Sequence, residues 1–218
     1  MNLNEFKLKN LGIDKEKFGK IFSFVDFGNV NYWYEKDRRD WEDNILNDNQ
    51  KLIVDIKKLA EFLNLFSEKK RFYYGWHPRI ESSWHIVISA EHNGFIKNTK
   101  PIQFVKHYLS EPEIKNASGR FVKNDSGGKY IEIPKSNFDV EISIDAIRLL
   151  DDYDTFCLLS GDSDFARLAE FLKRRGRKII VIASGQVLHT LKDIADLYIN
   201  AQEIKGSIAI IKNLALPK

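Results

Sequence analysis

A three-layer α/β/α domain with a central, mainly parallel sheet and an inserted hairpin is the fold this sequence predicts, and three observations carry it. The last third alternates apolar strands with amphipathic helices at a spacing that implies right-handed parallel crossovers. Two separate apolar runs, Ile21-Phe22-Ser23-Phe24-Val25 and Leu158-Leu159-Ser160, each deliver carboxylates into a turn, as strands do at the carboxyl edge of an open parallel sheet. A length of 218 residues with 43% hydrophobic content supports one sizeable domain with insertions and leaves little room for a second.

Residues 1–20 read as a short helical extension, with Asp14 as a cap ahead of Phe18. The first strand, 21–25, ends at Asp26. Gly28-Asn29-Val30-Asn31-Tyr32-Trp33-Tyr34 follows, and then a polar stretch, 35–50, that reads as a loop or insertion. From Leu52 the apolar positions Leu52, Ile56, Leu59, Ala60 and Leu63 keep helical spacing, and Arg71–Gly75 is the second strand. Ser82–Asn93 fits a helix or a strand almost equally, and Asn93-Gly94 stops it. Gln103–Leu109 fits a strand. Residues 119–133 read as a hairpin turning through Asp125-Ser126-Gly127-Gly128, with Arg120, Lys123 or Lys129 on its exposed face. Then come helix 140–150, strand 155–160 and helix 164–175 with Phe165, Leu168, Ala169 and Leu172 on one face. Gly176 ends that helix, and strand 178–183, helix 186–195 and a short strand at Leu197–Ile199 complete the pattern. The main domain spans 21–204, and 205–218 is a C-terminal tail.

A formal charge of +3, from 34 basic and 31 acidic residues, is too mild to announce a nucleic-acid binder by composition. The single cysteine, Cys157, excludes a disulfide framework and a thiolate zinc site within one chain. The charged opening lacks an apolar leader core, and no run approaches membrane-spanning length, so a soluble cytoplasmic protein with no membrane partner is expected. No glycine-rich phosphate loop supports ATP or NAD chemistry, and the five histidines lack metal-ligand spacing.

The chemistry rests on Asp26, Asp139, Asp162 and Asp164. A helix cap or an Asx turn explains any one segment alone. Together they repel unless a cation neutralises them, and hard oxygen donors of this kind suit Mg²⁺ or Mn²⁺. Such an ion stabilises charge building on a phosphoryl group, so phosphodiester hydrolysis is its natural use. Asn29, Ser160 and Ser184 are candidate orienting groups on the same sheet edge. Asp145 lies six residues past Asp139, about 120° around a helix, so both face one ion only if Asp139 sits at the unwound start; Asp139 therefore ranks first, then Asp145, then Glu141. Among the aromatics, Tyr32 or Trp33 is the candidate base contact, since both closely follow Asn29. The basic run Lys173–Lys178 is explained by the helix dipole.

Val25-Asp26-Phe27-Gly28-Asn29-Val30-Asn31, Phe138-Asp139-Val140 through Asp145-Ala146, Ser160-Gly161-Asp162-Ser163-Asp164-Phe165 and Gly176-Arg177-Lys178-Ile179, in that order, resemble the NYN domain, the LabA-like branch of the PIN-like nucleases, over roughly residues 20–200. Tyr73-Tyr74-Gly75 and the basic turn Thr99-Lys100-Pro101 add to the likeness, whereas Lys135-Ser136-Asn137-Phe138 departs from the family's usual shorter Lys-Gly-Val lead. The resemblance implies a PIN-like Rossmannoid fold and a metal-dependent endoribonuclease whose acids are Asp26, Asp139, Asp162 and Asp164, with Asn29 assisting. It makes RNA, single-stranded or structured, the expected partner, with Lys100, Arg120, Lys123 and Lys135 as candidate backbone contacts. Oligomeric state is left open, a homodimer included. The rival reading is an RNA-binding or regulatory module with little or no turnover; a phosphomonoesterase using the same acids is a third.

Overall fold

The computed structural model describes residues 3–116, 122–185 and 189–214, leaving aside the side chains of 115 and 116. Two short helices open the chain, α1 (Leu3–Asn10) and α2 (Lys15–Phe18), and the Asp14 carboxylate accepts from the Glu16 N–H at 2.9 Å to cap the second. β1 (Ile21–Asp26) runs into the single turn α3 (Phe27–Val30), followed by β2 (Gln50–Val54), α4 (Ile56–Asn64), β3 (Ser67–Trp76), α5 (Glu81–His92) and β4 (Ile96–Pro101). An inserted segment holds β5 (Gln103–Tyr108), α6 (Glu111–Asn116), β6 (Lys123–Asp125) and β7 (Gly128–Lys135). The chain returns through α7 (Asp139–Arg148), β8 (Thr155–Leu159), α8 (Ala166–Arg174), β9 (Lys178–Ala183), α9 (His189–Ile194) and β10 (Leu197–Asn200), and closes with α10 (Lys205–Ile208) and β11 (Ala209–Asn213).

Six strands form the central sheet in the order β10-β9-β8-β1-β3-β4, and every neighbouring pair is parallel. The chain winds outward from β1 in one direction and from β8 in the other. Strand order therefore reverses between β1 and β8, and their carboxyl ends flank the crevice where such sheets place ligands. Alternation along the strands fills both faces. Ile21, Val25, Phe72, Leu159 and Ile182 pack with Leu59 and Leu63 of α4 and Ala90 of α5. Phe22, Phe24, Tyr73, Phe156 and Val181 pack on the opposite face with Ile142 and Ala146 of α7 and Leu168 and Leu172 of α8.

Several elements depart from the sequence-based expectation. The apolar periodicity from Leu52 is helical only from Ile56: Leu52 and Val54 are alternate buried residues of β2, and the Asp55 carboxylate starts α4 by accepting from the Lys58 N–H at 2.8 Å. β2 pairs antiparallel with β11, so part of the segment set apart from 205 onward is folded onto the domain. The expected basic turn at Thr99–Pro101 belongs to the edge strand β4, whose largely polar sequence hides the strand pattern; its proline sits last, where no ladder bond is lost. Ser82–Asn93 resolves as helix, burying Val87 and Ala90 and exposing Trp84. The hairpin forms with Ser126-Gly127 at its turn, and β5 pairs with β7 to make a three-stranded antiparallel sheet; Arg120 lies outside the described residues, as do 186–188 at the start of the expected 186–195 helix. No helix among the described residues is long and apolar enough to cross a membrane.

Phe24 is fully buried in a ring cluster, 4.6 Å from Phe156 and 6.1 Å from Tyr153 between centroids. Phe24→Ala is expected to cost about 3–5 kcal/mol, read as a lower urea midpoint at unchanged m-value.

Candidate metal centre

The β1–β8 register builds the site. Val25 stands opposite Leu159, so Asp26 leaves its strand beside Ser160. The Ser160 hydroxyl, fully buried, donates to Asp26 Oδ2 at 3.0 Å and accepts the Asp162 N–H at 3.2 Å. Asn29 Oδ1 accepts from the Gly161 N–H at 3.2 Å and from the Trp33 indole at 3.0 Å, joining the turn after β1 to the turn after β8. Asp162 does cap the following turn, accepting from the Asp164 N–H at 3.0 Å. The capping that explains this residue locally also fixes its second oxygen.

Asp139 arrives from elsewhere as the first residue of α7, with its N–H donating to Asn137 Oδ1 at 2.7 Å. The preceding Ser136 packs where a Cβ on Gly75 would overlap it, so glycine at the end of β3 lets this lead-in lie against the sheet. One carboxylate oxygen from each of Asp139, Asp162 and Asp164 lies within 4.8 Å of the others. Asp26, expected as a fourth ligand, is not among the carboxylates that converge this closely: burial pushes its carboxyl up to about 6, against the Ser160 hydroxyl and the Asn29 N–H, with the charges of Asp139 and Asp162 adding to the rise. Burial, with the charges of Asp162, Asp164 and Glu141, also holds Asp139 above the usual carboxylate range. Three converging hard oxygens and two carboxyls that resist ionisation fit a divalent cation of the Mg²⁺ or Mn²⁺ type, which would relieve that repulsion.

Other candidates are placed differently. Asp145 is turned from this cluster into an interior ion pair: Arg71 donates through Nη2 at 2.7 Å and Tyr73 through its hydroxyl at 2.8 Å, both to Oδ2. Burial opposes its ionisation, but those bonds and the Arg71 charge hold the carboxyl below its usual range. Arg71 and Tyr73 share a face of β3 by strand alternation, which was the available signal for this network. Ser184 donates to the Trp33 carbonyl at 3.1 Å rather than facing the acids. Trp33 is buried, so it positions Asn29 and cannot offer a ring to a base, whereas Tyr32 is 61% exposed. Lys100 pairs with Glu141 beside the start of α7, Lys123 pairs with Glu132 at 2.7 Å, and Lys135 is exposed on β7. A polar cavity of ≈ 660 Å³ is lined by Asn29, Tyr32 and Ser184 among others, and touches the acidic site through Asn29 rather than through any of the four aspartates.

Comparison with known proteins matches residues 20–204 to the family model described as NYN domain. The low amplitude and bright protein LabA of Synechococcus elongatus is 33% identical over 89 residues, which are 40% of this chain and 47% of that protein, so the match spans about half the length of this curated relative. A crystal structure of a protein of unknown function from Vibrio parahaemolyticus aligns with a TM-score of 0.59 at 22% identity, covering 88% of this chain and 96% of the other, and shows the shared fold.

Two outcomes follow from this geometry. The folded metal-free protein binds the Asp26 proton more tightly than the unfolded chain does, so ionisation opposes folding; the penalty is absent below the ordinary value of 3.8, grows as pH rises through about 6, and reaches about 3 kcal/mol by pH 7. Urea titrations of Asp26→Asn beside the parent should thus coincide in stability below pH 3.8, diverge in favour of the variant as pH rises from there to about 6, and stay apart by a constant margin above it. Asp145→Ala leaves the half-buried Arg71 and the buried Tyr73 hydroxyl without their shared acceptor and should cost about 1–3 kcal/mol, read by thermal or urea unfolding.

Proposed function

This chain belongs to the NYN domain family, a branch of the PIN-like nuclease superfamily, and from that premise we propose that it is a divalent-metal-dependent endoribonuclease. The observation that carries the proposal is the convergence of Asp139, Asp162 and Asp164 within 4.8 Å at the crevice where strand order reverses. These three residues would hold Mg²⁺ or Mn²⁺, with Asp26 as the fourth acid. When bound, the cation supplies Lewis-acid stabilisation of the charge that develops on the phosphate and lowers the pKa of water at the site.

The chain's own groups do the positioning. Ser160 fixes the orientation of Asp26 through its hydroxyl, and Asn29 clamps the Gly161 amide so that the acidic turn keeps its shape when its charges repel. Gathering the acids in a partly buried edge keeps them in a medium where their interaction with a cation is stronger than in open water. RNA is the proposed substrate because the family premise, the polar cavity at Asn29 and the exposed Tyr32 all suit a chain of phosphates and bases. A cytoplasmic protein acting on cellular RNA is the setting this reading implies.

Incubation of a labelled mixed-sequence RNA with Mn²⁺, Mg²⁺ or EDTA tests it. Cleavage should occur with either cation, stop in EDTA, and fall at least about a hundredfold in Asp162→Asn, the scale expected when a group stabilising the transition state is lost. RNA bound but never cut would instead assign the chain to the binding modules.

A further inference from the structure

We propose that the β2–β11 ribbon and Tyr32 form an RNA-holding subsite beside the acids, with Lys51 and Lys212 gripping backbone phosphates and Tyr32 stacking a base. The proposal rests on the ribonuclease reading and adds to it the path the RNA strand takes.

The first observation is an electrostatic anomaly. Lys51 and Lys212 stand directly opposite one another in the antiparallel pair. Like charges in that position destabilise a ribbon, and opposite charges would support it. Among the described residues neither ammonium has a carboxylate partner. The two lysines instead line one cavity of ≈ 400 Å³, together with Phe27, Asn31, Tyr32 and His85. That volume suits a nucleotide-sized ligand. Of the acids on the same wall, Asp55 is committed to capping α4 at 2.8 Å, which leaves Glu35 at the rim. A phosphate between the lysines would turn their repulsion into paired attraction.

The second observation is the place of Tyr32. Its ring is exposed in a position directly after α3, and it lines both this cavity and the ≈ 660 Å³ cavity that contains Asn29. Tyr32 is therefore a ridge between two hollows, one beside the acidic turn through the Asn29–Gly161 bond and one beside the lysine pair. An exposed aromatic with open space on either side is a stacking platform for bases of a single strand, where each stacked base contributes regardless of sequence. An extended RNA laid from the acids across Tyr32 to the ribbon meets, in order, a cation site, a stacking ring and two ammonium groups. The chain's last described strand thus supplies part of the binding surface.

The test is fluorescence anisotropy with a short unstructured RNA in EDTA, where cleavage is suppressed, repeated over a salt series. Lys51→Gln/Lys212→Gln should weaken binding and reduce the slope of log affinity against log salt by about 1.4, at roughly 0.7 per phosphate contact on a single strand. Tyr32→Ala should weaken binding roughly tenfold with the slope unchanged, while Tyr32→Phe binds nearly as the parent does. Lys51→Glu separates binding from folding: it places a carboxylate opposite Lys212, so its melting temperature should rise while its RNA affinity falls. A lower melting temperature for Lys51→Glu would show that the lysines serve the ribbon and would overturn the proposal. So would parent-like affinity and slope in the double-glutamine and Tyr32→Ala proteins while the parent binds and cleaves RNA, an outcome that leaves the ribonuclease reading standing. A parent that binds no RNA overturns both.

Discussion

The register of β1 against β8 sets the position of every group at the acidic edge of the sheet. Pairing Val25 with Leu159 brings Asp26 and Ser160 out of the sheet side by side, and the bond between them follows at 3.0 Å. A one-residue slip would turn every side chain of the strand to the opposite face and carry Asp26 away from its partner. The slip is opposed from both layers. Ile21 and Val25 are fully buried against one set of helices, and Phe22 and Phe24 are equally buried against the other. Core packing on two faces therefore sets the geometry of a polar edge that could not set its own, because its carboxylates repel.

That edge is a compromise between folding and chemistry. Asp26 and Asp139 are held in surroundings that resist their ionisation, which is unfavourable for the empty protein and favourable for capture of a cation. The surrounding bonds are those needed to keep the arrangement from splaying: Ser160 on Asp26, Asn29 on Gly161, Trp33 on Asn29 and Ser184 on the Trp33 carbonyl. On the far side, Asp145 ties α7 to Arg71 and Tyr73 of β3, and the same helix presents Asp139 at its first residue. The helix that contributes an acid to the site is thus anchored by a second acid six residues further on.

Much of this was legible in the sequence because it is local or periodic. Each strand that ends in an acid is announced by its own apolar run, and the angular argument that separated Asp139 from Asp145 needs only helix geometry. What the sequence hides is non-local. Nothing near Leu52 says that it will pair with Ile211, far along the chain, so the alternation of Leu52 and Val54 merged into the periodicity of the helix that follows. β4 is too polar to read as a strand because it lies at the sheet edge. Tyr32 and Trp33 are adjacent aromatics with opposite fates, one exposed and one buried, and only the packing around Asn29 decides which. The likeness to the NYN domain supplied the order of the motifs; the structure supplied the distances.

Acids from two separate segments, the start of α7 and the turn after β8, converge to hold one divalent centre. Crystals grown with Mn²⁺ and measured for anomalous scattering test it most directly. An anomalous peak is expected among the carboxylates of Asp139, Asp162 and Asp164, and it should disappear in Asp139→Asn. Ordered acids with no peak among them at saturating Mn²⁺, or a peak that persists undiminished without the Asp139 carboxylate, would contradict it.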